Sequence, residues 1–224
     1  VKGLNRHRGD GKLIAMVVFL AAAVPLSFAL VVFGYLERRT SLLELGRPAA
    51  RGLLIFVVAY VFYLLLRPVI ELNYTAEGVY VYYLLHDYLY LLTWCVVSYL
   101  IYYQIPHTDN PREESLTTLV YSTAFYLLPA IGDILLNKSL TSYTVLLLPL
   151  CRVGLIYISV ASIVLARRMY IVVRYALLLV PAAAAAISAF VPLLFTQKYI
   201  TGSAFLAAGI FVTGALMFIL SVRE

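Results

Sequence analysis

Seven stretches of this chain run for about the length of a membrane crossing with few charges, and this pattern constrains the fold more than any other feature. They cover residues 13–36, 50–70, 79–103, 115–136, 140–166, 169–195 and 199–222. The hydrocarbon core of a bilayer, about 30 Å thick, is crossed by roughly 20 predominantly apolar residues in a helix. The runs are apolar on every face, whereas strands of a membrane barrel alternate over segments of about ten residues. In hydrocarbon the backbone must satisfy its own hydrogen bonds, and within one segment only a helix does so. The sequence therefore predicts an all-α polytopic integral membrane protein, seven transmembrane helices with short loops, forming a single bundle over residues 1–224. The second run is the weakest, because Arg51 and Arg67 bound it and Arg67 must snorkel for the run to reach full length.

Composition excludes the soluble alternatives. The chain is 63% hydrophobic and 12% charged, against about 45–50% and about 25% in soluble domains, and its mean hydropathy is +0.94. The net charge of +6 sits almost entirely between the apolar runs. That placement reads as topology signal and contact with anionic lipid rather than as a nucleic-acid stripe, so the expected partner is the lipid bilayer and no nucleic acid. Basic residues divide almost evenly between the two sides, Lys2, Arg6, Arg8 and Lys12 on one and Arg38, Arg39, Arg167 and Arg168 on the other, which leaves orientation undetermined. The expected setting is the cytoplasmic membrane of a prokaryote. Cys95 and Cys151 fall inside apolar runs and read as buried free thiols. No short apolar core with a small-residue cleavage site precedes the first run, so no removable signal peptide is expected.

The third run carries the most informative polar pattern. Tyr80, Tyr83, Asp87, Tyr90 and Trp94 are spaced three, four, three and four, which places them on one face of an α-helix. His86 flanks that face. Phe56, Tyr60, Tyr63 and Arg67 form a similar stripe on the second run, and an antiparallel hairpin would set Tyr63 beside Tyr80 and Tyr83 and Tyr60 level with Asp87. An ionised carboxylate in hydrocarbon costs roughly 2.5–3.5 kcal/mol on insertion scales, so Asp87 must face protein and find partners. Arg152, deep in the fifth run, is the second costly residue. A depth count at 1.5 Å per residue predicts an Asp87–Arg152 pair, with His86 beside it and Tyr83, Tyr90 and Tyr60 completing the hydrogen bonds. Asp133, near the end of the fourth run, is expected to meet Lys138, Tyr143 or headgroup water.

Intramembrane ionisable groups mark solute, ion or proton sites, and buried ion pairs also serve simply to fix packing; both readings stay open here. Pro25, Pro129, Pro149, Pro181 and Pro192 interrupt the runs, as breaks do in carriers, although proline is common in membrane helices generally. In the last two runs, Ala182–Ala186 and the pairs Ser203/Ala207, Ala204/Ala208 and Gly209/Thr213 read as packing faces, within the monomer, against a second copy or against a partner protein. Glu113 and Glu114 read as a helix N-terminus, and Tyr99 as part of an interfacial belt. There is no H-E-x-x-H, G-x-S-x-G, phosphate-binding glycine loop or C-x-x-C, so neither a metal nor another cofactor is expected and an enzyme is the weaker reading. Three function classes follow: a small-solute, ion or proton carrier with a mid-membrane polar site; a non-catalytic sensory or scaffolding subunit that works with a partner protein; and an intramembrane enzyme on a lipid-linked substrate.

Overall fold

The computed structural model describes residues 42–72, 78–102, 111–136 and 141–223. The expected first span, 13–36, lies outside the described residues. The rest form six helices: α1 Leu42–Leu72, α2 residues 79–102, α3 Pro111–Leu136, α4 Tyr143–Arg168, α5 Ile171–Thr196 and α6 Ile200–Arg223. No strand occurs among the described residues. All but α2 carry a stretch long and apolar enough to cross a membrane, so five candidate spans stand where the sequence predicts six over the same residues. Helix α2 runs the required length but is interrupted by a π-helical turn at Leu84–Leu89.

Successive helices alternate in direction. Helix α4 occupies the centre, with 94% of its span buried, against 22% for α1 and 28% for α6. That ranking explains why buried polar residues such as Arg152 and Ser159 are tolerated on it: they face protein rather than lipid. Helices α2, α3, α5 and α6 surround α4, and α1 lies outside, packed on α3 and α2. The outer helices turn apolar side chains outward, Leu54, Leu65, Val172 and Phe205 among them, as a lipid-facing layer requires.

Between membrane helices the hydrophobic effect supplies no drive, so close backbone approach matters. A Cβ on Gly214 would sit 2.4 Å from the carbonyl oxygen of Gly154, and one on Gly52 the same distance from that of Tyr121. These glycines fix the α4–α6 and α1–α3 crossings, and any side chain there pushes backbones apart. On α6 the small residues Ser203 and Ala207 face inward with Gly214, while Ala204, Ala208, Gly209 and Thr213 point outward. Only one of the three small-residue pairs is therefore spent on packing within the monomer.

Two helices open or break on π-helical turns, at Leu84–Leu89 in α2 and Tyr143–Leu147 in α4. The second has a local cause. Pro149 lacks the N–H that would bond the Val145 carbonyl, and its ring crowds that carbonyl, so the preceding turn widens. A π-helical turn spends an extra residue per turn and is found mostly as a single turn inside an α-helix, often at functional sites.

Candidate functional site

The two π-helical turns meet. Asp87, on the first, is 7% exposed, and its carboxylate is held from two sides. His86 Nδ1 lies 2.7 Å from Oδ1, and the Tyr143 hydroxyl, from the second turn, donates to Oδ2 at 2.8 Å. Tyr88 and Tyr143 hydroxyls are 3.0 Å apart. Because Tyr143 gives its proton to the carboxylate, Tyr88 donates to Tyr143. The widened turn is what lets neighbouring Asp87 and Tyr88 both bury, at 7% and 1% exposure, since in a regular helix successive side chains diverge by about 100°.

His86 lies at the edge of this interior. Its side chain is 30% exposed against 9% for that of Asp87. The ring stacks on Tyr82 at 5.0 Å and meets the edge of Tyr63 at 5.5 Å, which fixes its orientation toward the carboxylate. A titratable ring hydrogen-bonded to a buried carboxylate can exchange a proton with it.

The remaining predicted residues divide. The π-helical turn breaks the single stripe expected along α2. Tyr80 donates to the Ala186 carbonyl at 2.9 Å and packs on Phe190, while Tyr83 packs on Tyr143 at 6.3 Å. Beyond the turn, Tyr90 donates to the Ala59 carbonyl on α1 and Trp94 stacks on Phe62. Tyr90 thus lies away from the carboxylate. Tyr60, 38% exposed, packs on Phe56 and Tyr63 and reaches His86 only through Tyr63. Tyr63 packs on His86 and Tyr90, nearly two turns further along α2 than the expected Tyr80 and Tyr83.

The expected Asp87–Arg152 pair is not among the contacts described for the carboxylate. The described partners of the carboxylate are His86 and Tyr143, and Arg152, buried at 4% exposure, acts electrostatically on Tyr88, Cys151 and Tyr126. Asp133 lies on α3, and its side chain is outside the described residues, as is Lys138. Tyr143, offered as a partner for Asp133, is the donor to Asp87.

A second buried polar cluster lies at the opposite end of the bundle. Glu114, 6% exposed, pairs with Arg167 at the end of α4, 2.5 Å away. The Arg167 guanidinium sits over the Tyr99 ring at 5.3 Å. Tyr99 and Thr118 hydroxyls are 2.6 Å apart, and Thr118 donates to the Glu114 carbonyl at 2.7 Å. Ser98 and Tyr121 hydroxyls bond directly, and the Cys95 thiol reaches Ser122 at 3.6 Å. Tyr99 is 1% exposed, so it belongs to this interior and not to an interfacial belt. Glu113 stays outside; Glu114, one residue on, is inside. The signal for this cluster was present in the sequence as buried-type spacing of Glu114, Thr118, Tyr121 and Ser122, which follow the helical period.

No family model matches the chain, and no curated protein and no solved structure matches it.

Proposed function

We propose that the protein is a seven-span carrier of a small solute, ion or proton, with Asp87 and His86 as its protonation site. The observation that supports this most directly is the 2.7 Å contact between a partly accessible imidazole and a buried carboxylate. Proton transfer needs donor and acceptor within hydrogen-bond reach, and histidine is the side chain whose ordinary pKa, about 6.5, lies in the working range. Tyr143 and Tyr88 extend the contact into the bundle. A carboxylate that only fixed packing would gain nothing from a partner that changes charge near neutrality.

The experiment is proton movement into liposomes that hold the purified protein and an internal pH-sensitive dye. Inorganic ions, small organic acids and sugars are present on both sides, and the membrane potential is clamped. Wild type equilibrates a pH jump faster than empty liposomes, Asp87→Asn falls to the empty rate, and His86→Gln is slowed. Equal rates for wild type and Asp87→Asn overturn the reading.

A second reading has one observation in its favour. Helix α4 is 94% buried, as expected of a static sensory or scaffolding subunit whose polar groups only specify packing. It predicts folded Asp87→Asn protein with no functional loss of proton movement, because wild type moves none. The enzyme reading loses ground because Glu114, one of its candidate acids, is engaged by Arg167.

A further inference from the structure

Helices α4 and α5 are joined by only Met169 and Tyr170, both extended and both exposed, Tyr170 at 89%. Three arginines gather at this turn, and they differ in what holds them. Arg167 is engaged by Glu114. Arg168 is exposed and makes no hydrogen bond or ion pair among the described residues. Arg174, exposed in the first turn of α5, reaches back to α4, where its Nε donates to the Ala166 carbonyl at 3.0 Å. That carbonyl is among the last of α4, which have no partner within the helix, so the bond caps α4 and fixes the guanidinium. It leaves the donors on the two terminal nitrogens without a hydrogen bond or ion pair among the described residues.

Arg168 lies two residues past Ala166, about 5.4 Å between α-carbons in helical geometry, so the two open cations issue from one turn. Below that turn the surface is apolar. Ile171, Tyr175 and Leu179 follow one another at four-residue spacing, 65%, 63% and 67% exposed, and so form a lane down α5. By the helical period Ile171 and Tyr175 flank Arg174. Both helices are long and apolar enough to span, which sets the arginines and Tyr170 at headgroup level, where tyrosine is at home, and the lane among acyl chains. Guanidinium suits phosphate, which it can grip with two parallel N–H bonds. A free anion would use the arginines alone, whereas a molecule anionic at one end and apolar along its length uses the arginines and the lane.

We propose that the α4–α5 turn binds one anionic phospholipid, its phosphate held by Arg168 and Arg174 and an acyl chain laid along Ile171, Tyr175 and Leu179. A phosphate across the two arginines ties the end of the central helix to the start of α5. This is a local site, unlike the diffuse attraction of any basic segment to an anionic leaflet. It shares no residue with the Asp87 site and stands whether or not the protein is a carrier.

The test is native mass spectrometry of purified full-length protein in an uncharged detergent, titrated with phosphatidylglycerol or phosphatidylcholine, with inorganic phosphate as competitor at one ionic strength. The first phosphatidylglycerol is expected to bind roughly 25-fold tighter than phosphatidylcholine, about fivefold for each arginine. Arg168→Gln, which removes no bond to a described residue, is expected to fold as wild type and to weaken that first phosphatidylglycerol about fivefold. Adding Arg174→Gln brings phosphatidylglycerol to the phosphatidylcholine level. Arg47→Gln removes the same charge from an exposed position at the start of α1, at the same end of the bundle, and is expected to leave binding unchanged. Equal binding of the two lipids, or wild-type binding in Arg168→Gln, overturns the site. Equal weakening by Arg168→Gln and Arg47→Gln overturns it in favour of diffuse attraction. Inorganic phosphate that displaces phosphatidylglycerol at equal concentration overturns the lipid as ligand in favour of the free anion.

Discussion

The bundle buries a carboxylate at each end, and the two are held by different chemistry. Glu114 is paired with an arginine, whose charge is permanent, and that guanidinium is capped by the Tyr99 ring. Asp87 is paired with a histidine, whose charge is not, and its other oxygen takes a neutral tyrosine hydroxyl. The first arrangement acts as a clamp between α3 and α4. The second brings in a side chain whose ordinary pKa lies near neutrality. A permanent cation suits a structural pair, and a titratable partner is what a protonation site requires.

Breaking the clamp has the largest expected effect on stability. Arg167→Ala leaves Glu114 buried without its cation, a change that typically costs 3–5 kcal/mol, and the result is a strongly lowered Tm or loss of folded protein in detergent. Next comes Gly214→Val, which meets the Gly154 carbonyl and forces α4 and α6 apart; overpacking of this kind costs about 1–3 kcal/mol, and a Tm fall with retained helix content on circular dichroism checks it. Tyr88→Phe removes one neutral hydrogen bond, to Tyr143, and lowers stability by about 1 kcal/mol, much less than the clamp does. Glu113→Gln, outward-facing in the first turn of α3, loses only a helix-dipole interaction, a few tenths of a kcal/mol or so. If Glu113→Gln and Arg167→Ala destabilise equally, the division between the outer and inner acid of that pair is wrong.

What the sequence made legible follows from which forces are local. Uninterrupted apolar runs gave α4, α5 and α6 with ends within a turn of those seen, because hydropathy reports the need to bury backbone in hydrocarbon. Helix α1 starts at Leu42, more than two turns before the expected 50, because its first turns carry Glu44, Arg47 and Pro48 and leave no hydropathy signal. The importance of Asp87 and His86 was legible from cost alone, since a carboxylate in an apolar run needs a partner. Its partner was not. The expected stripe assumed 3.6 residues per turn through Leu84–Leu89, and the π-helical turn there swings Tyr90 and Trp94 toward α1 while bringing Tyr88 inward. Pro149 marked the other π-helical turn, but nothing local tells that the widened turn would aim Tyr143 at Asp87. Glu114 was hidden for a different reason. An acid at a helix start satisfies the dipole rule by itself, so only the tertiary placement of Arg167 reveals that it is a buried pair.

The most direct test of the central proposal, that the His86–Asp87 contact is a protonation site, is tryptophan fluorescence in nanodiscs from pH 5 to 8. The chain has one tryptophan, Trp94, stacked on Phe62 beside Tyr90, which packs on Tyr63 and through it on His86. Wild type is expected to show a single-step change that is absent in His86→Gln and altered in Asp87→Asn. A flat signal in folded wild type, or the same titration in His86→Gln, would contradict it.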